Sequence, residues 1–332
     1  MAKHMMRAAA LIVSAAIAAG LTGCGEDKAA TPKDATIMNI GIVQLVEHDA
    51  LDAANRGIID GMAKRGFKDG VNVKFDKQNA QADQSNLHNI ATRFVSNKDK
   101  LIFAIATPAA QSVASVTKEI PIVATAVTNF EVARLVKSNK APGGNVTGVS
   151  DINPVADQLA LLLKLTPGAK AVGTIYNSSE INSAYQIELL REAAKAHKVD
   201  VIEATVSNVN DIQQAIASIK DKVQALYIPT DNVMASAIPA LLKVTNPAKL
   251  PVVAGESGMV RAGALASIGV DYYTLGVMTG NMGADILEGK AQPATMPIQI
   301  QQATKVLINM KAAKEIGLDV PAELLKDADK IE

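Results

Sequence analysis

The sequence predicts an α/β protein with two doubly wound lobes, each built on a parallel sheet. Beyond residue 36, short apolar stretches alternate with amphipathic ones. Strands separated by roughly ten to twenty helical residues are typical of βαβ units, which form parallel sheets. About nine such strands over nearly 300 residues fit two sheets better than one. With 332 residues, 48% of them hydrophobic and 20% charged, the chain is long and apolar enough for both.

The first half of this region alternates strands and helices in a regular order. Its predicted strands are 40–46, 71–75, 101–106 and 122–127. The helix after the first strand starts at Asp49, an N-cap residue type, and ends before Gly66, a common helix terminator. Thr107 and Pro108 follow the third strand as N-cap and first helical residue. These signals predict a chain of βα units.

The same pattern resumes in the second half. Its predicted strands are 171–176, 199–206, 223–228 and 251–254, with a helical segment between each pair. The glycine-rich stretch 143–148 separates the two runs. We therefore expect the division between the lobes there.

The N-terminus predicts a location outside the cytoplasm. Lys3 and Arg7 precede an apolar run, 8–20, that is too short to span a bilayer, as in a signal peptide. Leu21-Thr22-Gly23-Cys24 resembles the lipobox of bacterial lipoproteins. We expect 1–23 to be a lipoprotein signal peptide, Cys24 to be acylated and 24–36 to be a polar tether to a bacterial membrane. The alternative is an ordinary secretory signal with an incidental cysteine.

Composition disfavours several classes of protein. Lys plus Arg equals Asp plus Glu, 33 each, so no basic excess points to nucleic acid. One cysteine excludes an internal disulfide, and four histidines leave little for a zinc site. The sequence has no phosphate-binding glycine loop, serine elbow or paired-histidine motif. We expect no metal, no cofactor and no catalysis.

Polar residues follow the predicted strands. They occur at 47–48, 79–81, 107–108, 128–129, 177–182, 230–232, 255–257 and 271–272. Ligands of parallel α/β sheets bind at the carboxyl ends of the strands, so these amides, hydroxyls and carboxylates suit a small polar or zwitterionic molecule. The alternative for any one of them is a helix cap. We interpret His48 as a hydrogen-bonded loop residue and not as a catalytic base.

Seven segments in collinear order resemble one family. They are 40–52 (IGIVQLVEHDALD), 78–81 (QNAQ), 106–110 (ATPAA), 144–151 (GNVTGVSD), 176–183 (YNSSEINS), 229–232 (PTDN) and 269–273 (GVDYY). They are similar to the extracytoplasmic substrate-binding proteins of a bacterial ABC transporter family that includes binders of tryptophan, tyrosine and phenylalanine. The resemblance runs from about residue 38 to about residue 300.

The resemblance implies two Rossmann-like lobes joined by a three-stranded hinge. Lobe 1 would comprise 37–150 and 270–296, and lobe 2 would comprise 151–269 and 297–332. The implied ligand-binding residues are Glu47, Asn79, Thr107, Thr128, Ser178, Ser179, Asn182, Asp231, Glu256 and Asp271. One departure is Asn129-Phe130, where the family usually has Asp-Pro, and it removes a charge beside the cleft.

The resemblance also implies a function. The chain would be a monomeric receptor that closes on an aromatic or other apolar amino acid and delivers it to a permease driven by an ATPase. Alternatives are a receptor for a sugar or nucleoside, or a sensory lipoprotein with the same pocket. Ligand contacts from both lobes would favour the closed form.

Overall fold

The computed structural model describes residues 37–301 and 304–332. The predicted signal peptide, Cys24 and the tether 24–36 lie outside the described residues. Within the described part of the chain, none of the helices is both long and apolar enough to cross a membrane.

The described chain alternates strands and helices along most of its length. The strands are β1 (Met38–Gln44), β2 (Val73–Asn79), β3 (Leu101–Ile105), β4 (Ile122–Val127), β5 (Val146–Ser150), β6 (Ala171–Asn177), β7 (Asp200–Val206), β8 (Ala225–Ile228), β9 (Val252–Ala254), β10 (Ala266–Gly269), β11 (Gln299–Ile300), β12 (Lys305–Asn309) and β13 (Asp329–Ile331). The helices are α1 (Asp49–Lys64), α2 (Gln84–Ser96), α3 (Thr107–Val116), α4 (Val155–Leu165), α5 (Ile181–His197), α6 (Ile212–Ile219), α7 (Asn232–Ser236), α8 (Ile238–Thr245), α9 (Ser257–Arg261), α10 (Tyr272–Leu287) and α11 (Met310–Ile316).

The strands form two separate sheets. The first has the order β11-β5-β4-β3-β1-β2, and the second has the order β13-β12-β10-β9-β8-β6-β7. Neighbouring strands run parallel, except that β12 is antiparallel to β10. Two parallel sheets with helical crossovers are the predicted α/β architecture with two lobes.

Burial explains why these segments form strands. Every residue of β3, β4, β6 and β8 is buried, as expected for strands covered on both faces by helices. The first sheet has one large apolar core, whereas the core residues of the second sheet form two clusters. Each lobe therefore has its own hydrophobic core.

Helix α10 belongs to the first lobe although it follows β10 of the second. It packs against α1 through glycines on both helices. A Cβ on Gly276 would lie 2.1 Å from the carbonyl oxygen of Ala54, and one on Gly57 would lie 2.2 Å from that of Tyr273. The absence of side chains at these positions lets the two backbones touch, which fixes α10 on α1.

The chain passes between the sheets after β5, after β10 and after β11. The predicted division within 143–148 differs from this, because Val146 to Gly148 already belong to β5. Gly148 is required by close packing, since a Cβ there would lie 1.9 Å from the carbonyl oxygen of Ala124. Ile300 pairs with Ser150 in the first sheet, three residues beyond the predicted crossing near residue 297.

Candidate ligand-binding cleft

A cleft opens between the carboxyl ends of the two sheets. It is lined by His48, Leu51, Ala126, Thr128, Asp151, Asn182, Thr230, Asp231, Asn232, Ala235, Glu256, Met259 and Tyr272. These residues come from strand ends of both sheets, from the loops that follow them and from the helices that begin there. The space between them is about 280 Å³, counted to the atom surfaces and including its open mouth.

Asp231 organises the wall that follows β8. Its Oδ1 accepts a hydrogen bond from the Met234 amide (2.9 Å) and so caps α7. Its Oδ2 accepts from the Asn177 amide (2.6 Å) and from the Ser183 hydroxyl (2.7 Å). Burial raises the pKa of this carboxyl, and the hydrogen bonds counteract the shift. Asp231 thereby joins the end of β6, the start of α5 and α7 into one unit.

Glu180 lies behind the same wall and contacts both asparagines of the cleft. Its Oε2 accepts hydrogen bonds from Asn182 Nδ2 (3.1 Å) and Asn232 Nδ2 (2.5 Å). The backbone amides of Asn232 and Val233 also donate to its carboxylate. Burial and the nearby Asp231 raise the pKa of Glu180 to about 8. Glu180 itself does not line the cleft.

Glu256 is the N-cap of α9 and is buried. It accepts hydrogen bonds from the backbone amides of Gly258 and of Met259, the latter at 2.8 Å. Burial raises its pKa to about 7, and the two amides oppose the rise. Neutralising this carboxyl by a proton or by a cationic partner lowers the cost of burying it.

Asp151 stands where the chain leaves β5 for the second lobe. The Tyr272 hydroxyl donates to its Oδ2 at 2.6 Å, while its Oδ1 is buried without a partner. Burial raises its pKa, and the hydrogen bond from Tyr272 acts against this. An unpaired carboxylate oxygen in this position can accept a hydrogen bond from a ligand.

Two polar contacts bridge the cleft. His48 Nε2, from the first lobe, lies 3.4 Å from Asn232 Oδ1 in the second. Because Asn232 Nδ2 donates to Glu180, its Oδ1 accepts the proton of His48 Nε2. Burial lowers the pKa of His48, which favours the neutral ring with a lone pair on Nδ1. At the rim, Arg261 Nε of α9 pairs with Asp49 Oδ2 of α1 at 2.6 Å.

Four buried polar atoms without hydrogen-bond partners converge in this cleft. They are His48 Nδ1, Asp151 Oδ1, Asn182 Oδ1 and Thr230 Oγ1. The first three are acceptors in the arrangement described above. Among the described residues that line the cleft there is no lysine or arginine. The site thus presents more acceptors than donors.

The structure brings four of the ten predicted ligand-binding residues to the cleft: Thr128, Asn182, Asp231 and Glu256. Thr107 is buried at the start of α3 but does not line the cleft. Glu47, Asn79, Ser178, Ser179 and Asp271 are exposed and lie outside its lining. Their ligand contacts stay predictions.

Local turns account for most of the outward-facing residues. Asn177 Oδ1 accepts from the Ser179 amide (2.9 Å), and this tight turn carries Ser178 and Ser179 to the surface. Asn79 Oδ1 is used in the same way by the Gln81 amide (2.8 Å). Asp271 Oδ1 caps α10 through the Thr274 amide (2.7 Å). These local hydrogen bonds hold Asn79 and Asp271 at the surface, whereas the N-cap residues Asp231 and Glu256 still line the cleft.

Several lining residues were not among the predicted ligand contacts. His48, Thr230, Asn232 and Tyr272 stood in the polar clusters after strands, and Asp151 lay in one of the seven segments, so a signal existed for each. Leu51 also lay in one of the seven segments, but Ala126, Ala235 and Met259 carried no such signal, because apolar side chains at helix and strand positions are typical of a core. At the family departure, Asn129 Oδ1 accepts from the Glu131 and Val132 amides, and Phe130 is fully buried.

Two parallel α/β lobes with a polar cleft between their strand ends define a two-lobed solute receptor. The chain belongs to the family of ABC transporter substrate binding proteins, whose sequence model matches residues 39–332. It is thus the extracytoplasmic solute-binding component of an ABC transporter, as the resemblance implied. Within the described residues, no three His, Cys, Asp or Glu side chains are grouped to hold a metal ion.

Relatives with known names agree with this assignment. A tyrosine-binding protein of Clostridioides difficile is 41% identical over 305 residues, which cover 90% of this chain and 88% of that one. A Streptococcus pneumoniae ABC domain in complex with L-Trp is 39% identical, with a TM-score of 0.86 and coverage of 90% and 100%.

A third relative differs in conformation. A ligand-free, open substrate-binding protein from Clostridium difficile is 42% identical and covers 89% of this chain and 99% of its own length, but its TM-score is only 0.68. At nearly equal identity, the present structure is more similar to the L-Trp complex than to the open protein. Together with the contacts between His48 and Asn232 and between Arg261 and Asp49, this identifies a closed arrangement of the lobes.

Proposed function

We propose that this protein binds an aromatic amino acid in the cleft, closes on it and delivers it to an ABC permease driven by an ATPase. The observation that carries the proposal is the group of unpartnered buried acceptors in the cleft. An ammonium group has three N–H donors and a positive charge, and it matches acceptors on Asp151, Asn182 and His48.

The acids of the cleft support a cationic ligand group. Glu256, Asp151 and Asp231 all have pKa values raised by burial. A bound ammonium favours their charged forms and so recovers part of the desolvation cost. The ligand carboxylate would be held by hydroxyl groups, of which Thr128 and Thr230 are at hand.

The apolar lining supports a hydrophobic ligand side chain. Leu51, Ala126, Ala235 and Met259 line the cleft beside the polar groups. The relatives named for tyrosine and crystallised with L-Trp favour an aromatic ligand over other apolar amino acids. We propose a binding role without catalysis, a monomer in solution, and an anchor on Cys24.

The test is a thermal-shift and calorimetric panel on residues 25–332, which contain the whole described body. It comprises the twenty amino acids, nucleosides and sugars, on protein refolded to remove bound ligand. A ligand at 100 times its Kd stabilises the fold by about 2.7 kcal/mol. We expect shifts confined to Tyr, Trp or Phe, with compaction in small-angle scattering. A response to sugars or nucleosides alone, or to nothing, contradicts the proposal.

A further inference from the structure

Glu180 occupies an unusual position for a buried acid. It is only 3% exposed and precedes α5 as its N-cap residue, yet its side chain makes no capping bond to that helix. The carboxylate instead crosses to the start of α7, where Asn232 and Val233 donate to it, and it also accepts from the side chain of Asn182 in α5. Because this buried acid accepts several hydrogen bonds and does not line the cleft, we ask what role its carboxylate has for the residues that donate to it.

That role follows from the orientation of the two asparagine amides. If the Asn232 amide turned over, its oxygen would meet the Glu180 carboxylate, and two acceptors would face each other without a proton. The same holds for Asn182, whose Nδ2 also donates to the Thr230 carbonyl (3.0 Å). Glu180 therefore holds both nitrogens toward itself, and both amide oxygens point away from it.

The consequence reaches the cleft at two points. Asn182 Oδ1 becomes one of the unpartnered acceptors. Asn232 Oδ1 faces His48 Nε2 of the other lobe and selects the tautomer that carries its proton there, which leaves Nδ1 as an acceptor. Two of the three acceptors for a ligand ammonium thus depend on one carboxylate that does not touch the cleft.

We infer that Glu180 is a positioning residue that sets the cleft to accept hydrogen bonds and thereby selects ligands with a free ammonium group. This inference rests on the proposed amino-acid ligand. Burial and Asp231 raise the pKa of Glu180 to about 8, with the opposing effect of its amide donors included, so the experiment is run at about pH 8.5, where most of this carboxyl is charged and its partners must be donors.

The first variant is Glu180→Gln, which keeps the shape of the side chain. Its single oxygen can serve the Asn232 and Val233 backbone amides, and its NH2 group then faces the asparagines and turns their oxygens toward it. The probes are two pairs measured by calorimetry: L-tyrosine with 3-(4-hydroxyphenyl)propionate, and L-tryptophan with 3-indolepropionate. We expect affinity for the amino acids to fall about tenfold and affinity for the analogues without the amine to change less than about twofold.

A second variant restores the match of donor and acceptor. In Glu180→Gln with Asn182→Asp, the glutamine NH2 donates to one aspartate oxygen while the other faces the cleft, so the preference for the amine should return. Asn182→Asp alone puts a second carboxylate against Glu180 and should not tighten binding, whereas simple attraction between charges would tighten it. Glu188→Gln, a change at an exposed residue of the same helix, is the matched control and should change the affinity for neither member of a pair.

Each outcome separates the two proposals. If the unaltered protein binds no amino acid, the proposed function fails and the inference with it. If it binds amino acids but Glu180→Gln weakens both members of a pair equally, Glu180 is a structural residue and only the inference is overturned. Failure of both the single and the double variant to fold also contradicts it, because the double variant is expected to restore the network.

Discussion

The two walls of the cleft are built differently. The wall from the second lobe contains a network in which Glu180 and Asp231 together accept hydrogen bonds from six residues across three segments of chain. The wall from the first lobe has fewer polar groups, namely His48, Thr128 and Tyr272, beside the apolar Leu51 and Ala126. The second lobe is therefore organised before ligand arrives, and the first lobe supplies a cover with few polar contacts.

This difference predicts that mutations in the two walls lower the stability by unequal amounts. Asp231→Ala leaves the Met234 and Asn177 amides and the Ser183 hydroxyl without an acceptor. Each buried unpaired donor costs about 1 to 3 kcal/mol, so the free energy of unfolding should fall by about 3 kcal/mol or more. Urea denaturation of the ligand-free protein measures this.

The matched change on the other wall is Thr128→Val, which keeps the shape of the side chain. It should lower the free energy of unfolding by about 1 kcal/mol at most, while weakening ligand affinity. Equal destabilisation by Asp231→Ala and Thr128→Val would show that the two walls are not organised differently.

The next effect concerns pH and Glu256. Its pKa is about 4.5 in an unfolded chain and about 7 in the folded protein, so the folded state binds the proton more tightly. Stability of the ligand-free protein should therefore fall as pH rises from about 4.5 to about 7, and Glu256→Gln should reduce this fall by about 2 kcal/mol. Unfolding at a series of pH values gives the difference between the two proteins.

Other groups at the cleft titrate as well, namely Asp151, Asp231, Glu180 and His48. Comparison of Glu256→Gln with the unaltered protein isolates the contribution of Glu256 from theirs. Ligand binding should in turn become tighter as pH rises toward 7, because the ammonium favours the charged carboxylate. If stability and ligand affinity change with pH in the same way in Glu256→Gln as in the unaltered protein, Glu256 does not cause these pH dependences.

A smaller effect is expected where the lobes meet. A Cβ on Gly258 would lie 3.1 Å from the Ala50 amide nitrogen and 3.2 Å from Asp49 Cβ in the first lobe. Gly258→Ala should therefore disfavour the closed form, weaken ligand affinity about fivefold (about 1 kcal/mol) and enlarge the liganded protein in small-angle scattering. Gly144→Ala is the matched control, since nothing lies within 4 Å of its Cβ position.

The added methyl group also approaches Glu256 Oε2, at 2.8 Å, within the second lobe. Scattering separates the two causes. If Gly258→Ala weakens binding but the liganded protein keeps its size in small-angle scattering, the mutation acts through Glu256 and not through lobe closure.

The smallest effect belongs to the rim. Arg261 and Asp49 are each about half exposed, 49% and 46%, and such pairs contribute about 0.2 to 1 kcal/mol. Arg261→Gln should weaken ligand affinity about twofold in low salt, and the difference should disappear in high salt because screening already weakens the pair. A large effect that persists in high salt would mean that Arg261 contacts the ligand.

Much of the fold was predictable because its signals are local. Apolar runs bounded by polar residues and caps marked β1 to β4 of the first sheet and β6 to β9 of the second. The contact between α1 and α10 was not predictable. Gly57 and Gly276 are far apart in sequence, and a glycine inside a helix does not indicate which other residue it packs against. Strand β11 has two exposed residues, Gln299 and Ile300, and no apolar pattern to reveal it.

The site was predictable to the level of the strand ends but not of the side chains. The rule that ligands bind at the carboxyl ends of strands led to the loops that bring Asn182, Asp231 and Glu256 to the cleft, whereas residues 79–81 and 107–108 do not line it. It could not tell which residue of a loop turns inward, as the neighbours Ser178 and Glu180 illustrate. One is carried outward by a turn at Asn177, and the other is drawn inside by donors from a distant loop.

The backbone contact between α1 and α10 has a consequence for how this receptor can diversify. Because the backbones of α1 and α10 touch at Gly57 and Gly276, α10 is held firmly on the first lobe, and we expect the lobes to bend at the short connections near residues 150, 270 and 300. Only Asp151 and Tyr272 of the cleft lining stand beside these connections. Substitutions at the other lining residues can therefore change the ligand preference while the connections and the contact between α1 and α10 stay the same.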